Sequence, residues 1–184
     1  MKQANINIFK DELLSIKNEE IRNQTIEVLL SVHDEFVTAP ASTSGKYHPK
    51  YALGEGGLAR HTKAAVKIAN SLFETDMYSF TSDMRDFIRA ALLLHDTCKC
   101  GIEWRSEHTV HEHPILVQQV IECALGVCRY SNIVGNLIKS HMGKWNTSKR
   151  SDVVLPLPNS AAEEFIHVCD YLASRRFIDI DFNI

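Results

Sequence analysis

The chain has 184 residues, 45% of them hydrophobic and 23% charged, with a formal net charge of −3. That length fits one domain with a core large enough to need no staples, and the composition excludes disordered, collagenous and low-complexity classes. The small negative charge argues against duplex DNA or an anionic membrane as partner, and no apolar run approaches the ~20 residues of a membrane helix.

Taken in chain order, the apolar spacing is mostly helical. Ile26, Leu29, Leu30, His33, Phe36 and Val37 mark a first stripe. Residues 39–57 (APASTSGKYHPKYALGEGG) read as a long loop, and Ala65, Ile68, Ala69, Leu72 and Phe73 mark a second stripe. Met84, Phe87, Ile88 and Ala91 lead into the run AALLLHD. Pro114 suits the first position of the next helix, which carries Val117, Val120, Ile121 and Ala124. Ser131 and Asn132 are candidate caps for a helix bearing Val134, Leu137 and Ile138. Residues 143–159 form a second long loop with two prolines. Ser160 and Glu163 read as a capping box ahead of Ala162, Phe165, Ile166, Cys169 and Leu172. The tail RFIDIDFNI alternates with period two, as a short strand would. The prediction is one all-α domain over 1–184 with six or seven helices. The first residues show no signal-peptide core, and the five cysteines form no CxxC pair. A reducing, cytoplasmic location is expected.

Several ionisable residues fall on the apolar stripes. His61 lies four before Ala65, His95 four after Ala91, His141 four after Leu137 and Asp170 four after Ile166, so helical phase turns each inward. Asp96 follows His95 at the end of an apolar helix, and His113 opens the next one. Taken singly, such a histidine is a hydrogen-bonded core residue and such an aspartate a cap or ion-pair partner. Taken together, they need a common partner, because an unpaired buried carboxylate costs several kcal/mol. A divalent metal ion supplies one. Mixed imidazole and carboxylate ligation suits Mn, Fe, Co, Ni, Zn or Mg in an open site, where a bound water becomes a nucleophile near neutral pH.

The order His61, His95–Asp96, Asp170 resembles the H…HD…D pattern of the HD-domain metal-dependent phosphohydrolases. GEGGLARHT is similar to that family's Gly-Gly-Leu-Leu-Glu-His-Thr segment, LLLHDTCK to its Leu-Leu-His-Asp-Ile-Gly-Lys, and IKSHMGKW to its Ser-His-His-Gly. LPLPNSAAEEFIHVCDYLASR resembles the segment of the last aspartate. The likeness covers about residues 47–176 and leans toward the HD domain of bacterial 3′–5′ exoribonucleases, with an N-terminal helical part (1–38) packed on it. It implies an HD-type helical fold with one metal held by His61, His95, Asp96 and Asp170. It further implies a second metal position bridged by Asp96 and completed by His113 and His141. Asp96 and Lys99 would be the catalytic residues, Lys99 meeting a phosphate oxygen. The implied reaction is hydrolysis of a phosphate ester of a nucleotide or short oligonucleotide by a metal-activated water.

Three departures qualify the likeness. Arg60 stands where relatives carry glutamate, Met142 replaces the second histidine of a pair, and Cys98 replaces a glycine before Lys99. These leave a second reading in play: a catalytically weak module that binds or senses a nucleotide. No OB-type domain precedes the HD-like segment, which favours a small nucleotide over a long one. Lys144 and Trp145 are candidate substrate contacts, phosphate and base respectively, although Trp145 could instead pack the loop onto the domain. Gly54–Gly57 is not a P-loop, since no Lys-Ser/Thr follows. It reads as a tight turn, with a phosphate contact as the alternative. Lys149 and Arg150 read as a solvated pair, and His108 and His111 as surface residues; His48, in a loop near the proposed site, reads as a surface residue, with pocket lining as the alternative. A homodimer through an exposed helix is compatible with the sequence.

Overall fold

The run Ala90–Leu94 is apolar on every side, so its helix has to be enclosed and not merely laid on a surface. The computed structural model describes residues 6–42 and 45–177. Among them are seven α-helices: α1 (Lys10–Ser15), α2 (Glu19–Ser31), α3 (Gly57–Phe73), α4 (Ser82–Leu94), α5 (His113–Leu125), α6 (Arg129–Lys139) and α7 (Ala161–Ala173). Helix α4 is the centre. It touches α1, α2, α3, α6 and α7, and its last five residues are fully buried. Around it, α3 packs along α7, and α5 along α6 and α2.

The six stripes correspond to α2 through α7, and α1 is the seventh helix. Its signal was present: Phe9, Leu13 and Ile16 are spaced four and three apart, and all are buried. Asp86 anchors the N-terminal helices, its carboxylate accepting from the Asn18 amide (2.7 Å) while pairing with Arg89 (2.7 Å). The Thr25 and Tyr130 hydroxyls meet at 2.9 Å between α2 and α6.

Several boundaries differ from expectation. The first stripe does not stay helical: α2 stops at Ser31, and Phe36 and Val37 lie on a separate 3₁₀ turn. His33 is exposed and caps that turn, Nδ1 accepting from the Glu35 amide. Helix α6 starts at Arg129, and its cap is Cys128. Ser131 closes the cap reciprocally, its Oγ accepting from the Cys128 amide at 2.8 Å. Pro114 is the second residue of α5, after His113. Ser160 accepts from the Glu163 amide, whereas the Glu163 carboxylate reaches the amide of Asn159, so the box is offset by one residue. Arg176 and Phe177 form a turn, and the rest of the tail read as a strand lies outside the described residues. No helix among the described residues is long and apolar enough to cross a membrane.

Candidate metal centre

Helix α3 begins in a backbone lock. Gly54 and Gly56 adopt φ of 67° and 70°, a region that L side chains avoid. A Cβ on Gly57 would sit 2.3 Å from the Ala52 carbonyl oxygen. The amides of Gly56, Gly57 and Leu58 donate to the carbonyls of Thr38, Gly54 and Ala39. These three donors are therefore occupied and are not offered to a phosphate. Arg60 completes the lock, its guanidinium donating to the carbonyls of Tyr51, Leu53 and Glu55 at 2.5, 3.0 and 2.8 Å. It is directed at the loop, not at a ligand set. One turn into the helix, His61 is buried and faces inward.

The second contribution comes from the end of α4. The helix stops at Leu94, and His95 and Asp96 follow in a tight turn at the centre of the domain. Helix α7 brings Asp170, the start of α5 brings His113, and the turn after α6 brings His141. Around Oδ2 of Asp96 lie His61 Nε2 at 3.9 Å and His95 Nε2 at 3.6 Å. Asp170 Oδ1 closes this group, 2.9 Å from His61 Nε2 and 3.5 Å from His95 Nε2. Around the other oxygen, Oδ1, lie His113 Nε2 at 3.1 Å and His141 Nε2 at 3.9 Å. The two ring nitrogens are 3.2 Å apart. Asp96 thus faces two clusters, each with donor atoms close enough to share an ion.

Hydrogen bonds behind the rings select the tautomer. Nδ1 of His95, His113 and His141 donates to the carbonyls of Leu92, Val110 and Ile138 at 2.7, 2.7 and 2.8 Å. Each ring therefore turns an Nε2 lone pair inward, the arrangement that supporting carbonyls impose on metal-ligating histidines. His95 Nε2 is fully buried without a hydrogen-bond partner, which is costly unless a cation fills the position. The residues present fit a divalent ion.

The charges agree. Burial works to raise the Asp96 carboxyl, but Lys99, His95 and His113 hold it well below the usual range. Asp170 is likewise held low against burial by His61 and His95. Burial pushes His95 down, yet Asp96 and Asp170 raise it. The carboxylates draw positive charge into the cluster. His141 is pushed down to about 3, first by burial and then by His113 and His95, so it stays neutral and able to ligate. No thiol competes: burial raises Cys98 to about 12 and pushes Cys169 up as well.

The clusters open into a cavity of about 780 Å³. Lys99 lies in its wall with Nζ 2.5 Å from Asp96 Oδ2. Trp145 also lines it, 41% exposed and stacked on Tyr171 at 5.4 Å, so it packs its loop while staying partly exposed. Lys144 does not line the cavity. It is exposed, with Nζ over the Trp145 ring at 4.8 Å. Arg150, read as solvated, lines it, and so does His48, for which lining was the alternative reading. His48 is half-buried beside His61, with ring centroids 5.8 Å apart. Loop residues carry no period from which an inward direction could be read. His108 stands exposed at the rim, and His111 is half-buried against the Asn146 carbonyl.

A helical domain closed around a two-part His/Asp centre defines a class of candidate metalloproteins. Within that class, a family model described as HD domain matches residues 58–175. The chain belongs to the HD-domain family, whose members are generally metal-dependent phosphohydrolases. Comparison with curated proteins and with solved structures gives no match.

Proposed function

We propose that this protein hydrolyses a phosphate ester of a nucleotide or short oligonucleotide. The observation that carries the reading is Asp96, whose two oxygens face two separate buried imidazole clusters. His61, His95, Asp96 and Asp170 would hold one divalent ion, and His113 and His141 would complete a second position on the far oxygen of Asp96. An all-N/O donor set suits Mn, Fe, Co, Ni, Zn or Mg. Such an ion supplies Lewis acidity and a nucleophilic water near neutral pH.

The chain's own residues do the rest. Carbonyls behind the rings fix the tautomer and the orientation of the imidazoles. Lys99, charged and at the cavity wall, reaches a phosphate oxygen and neutralises charge that develops there. The exposed part of the Trp145 ring meets a base. Lys144, which lies outside the cavity, supports the Trp145 ring. The motif likeness to exoribonucleases agrees with a nucleotide substrate.

The test is metal content per chain by mass spectrometry on untagged protein purified without chelator, beside His95→Ala. One or two first-row ions in the wild type, lost in the variant, are expected. Phosphate-ester hydrolysis with that metal should then vanish in Asp96→Ala with its helical circular dichroism intact. Full activity in Asp96→Ala overturns the reading. Tight nucleotide binding without turnover on any of the metals makes the protein a binding module instead.

A further inference from the structure

The wall of the metal cavity on the α7 side is shared. Tyr171 and Arg175 line both the metal cavity and a neighbouring one of about 460 Å³. The second cavity is lined by Lys46, Tyr47, Tyr171, Arg175, Arg176 and Phe177. That is three cations and three aromatic rings, with no carboxylate among the described lining residues.

The arrangement is held in place. The Arg176 amide donates to the Tyr47 carbonyl at 3.0 Å, fastening the loop to the end of α7. The Arg175 guanidinium lies 4.2 Å over the Tyr171 ring, 5.6 Å from that of Tyr47 and 5.9 Å from that of Trp145. It pairs with no carboxylate among the described residues. The C-terminal end of α7 links the two cavities: Asp170 faces the metal cluster, and Tyr171 and Arg175, the latter two residues past the helix, form the partition. Tyr47 is 53% exposed and Phe177 75% exposed, so ring faces remain open to a ligand.

Cations that track a phosphate backbone, interleaved with rings on which bases stack, are the chemistry of single-stranded nucleic-acid binding. In a duplex, stacking between successive base pairs hides the faces that these rings need. Resting on the phosphohydrolase reading, we propose that the second cavity binds the nucleotide next to the scissile phosphate, so that the substrate is a single-stranded oligonucleotide and not a mononucleotide. The flanking base stacks beside Tyr47 and Tyr171, and its phosphate meets Arg175 and Arg176.

Binding separates this from hydrolysis. Fluorescence anisotropy in chelator, which suppresses turnover, would compare a labelled single-stranded pentanucleotide, ribo and deoxy, with the equally labelled mononucleotide. Wild type, Tyr47→Ala and Arg176→Gln would be measured; both positions are exposed, and circular dichroism checks their folding. The wild type is expected to bind a pentanucleotide more tightly than the mononucleotide. Each variant should weaken pentanucleotide binding at least about fivefold, drawing the ratio toward one. A ratio of one in the wild type, variants that weaken both ligands alike, or no measurable pentanucleotide binding overturns the proposal, even where small phosphate esters are hydrolysed. Pentanucleotide binding that the variants weaken, in a protein that hydrolyses nothing with any metal, supports the cavity and overturns the phosphohydrolase reading.

Discussion

Lys99 illustrates how much hangs on single side chains. Its Nζ lies 2.5 Å from Asp96 Oδ2, and burial, which alone would lower it, is outweighed by Asp96, so it stays charged. An ion near that oxygen competes with the ammonium for it and leaves Lys99 directed toward the cavity. Lys99→Ala should therefore retain metal while losing about 100-fold in hydrolysis, the scale of removing one donor to a developing oxyanion. Metal analysis beside steady-state kinetics checks it; an unchanged rate removes Lys99 from the mechanism. The legibility of residues at this scale followed from helical phase. His61, His95, His141 and Asp170 stand four positions from apolar neighbours, and that alone turned them inward. His48, Tyr47 and Arg150 sit on loops, where no phase exists. Their neighbours are set by which loop folds over which cavity, information that lies far away in the sequence.

At the scale of elements, the start of α3 is the most constrained junction. Gly57 passes against the Ala52 carbonyl so closely that a Cβ would lie 2.3 Å from its oxygen. That carbonyl is fixed in turn, accepting from the Ala41 amide at 3.1 Å. Gly57→Ala should cost about 1–3 kcal/mol, the range for forcing extra atoms into packed surroundings. Urea denaturation measures it, and a wild-type midpoint would show that the junction yields. The Gly-rich stretch was legible as a turn, but the occupation of its amides was not, because Thr38 and Ala39 come from the preceding segment. Helix boundaries failed in a related way. Cys128 is not among the strongly preferred caps, yet it caps α6 because Ser131 reciprocates. Tyr171 on α7 and Arg175 just past its end lie between two cavities, an arrangement set by the loops packed around them and not by helical phase.

At the scale of the whole molecule, the site makes stability depend on pH. His141 is lowered to about 3 and His48 to about 4, both chiefly by burial. In the unfolded chain both titrate near 6.5. Between those values the unfolded state binds more protons, so this contribution is complete above about pH 6.5 and is lost as pH falls toward 4. The lowered Asp96 and Asp170 add a further loss at more acid pH. His95, raised by its carboxylates, acts in the opposite sense, one group against two. Urea midpoints in chelator should be lower at pH 5 than at pH 7. An equal or higher midpoint at pH 5 would mean that the His95 contribution dominates. Bound metal shares the sign, since protons compete with it for the same imidazoles.

His61 and Asp170 meet at 2.9 Å although 109 positions separate them along the chain. An ion held by both would act as a cross-link. For a covalent tie across about 100 residues, loop entropy alone is worth about 4.7 kcal/mol, and a coordinate tie acts in the same sense for as long as the ion stays. Since α3 and α7 pack on each other and on the central helix, global opening would have to break this tie. Resistance to proteolysis would then follow the free concentration of the ion, and the lifetime of the chain would become a record of metal supply.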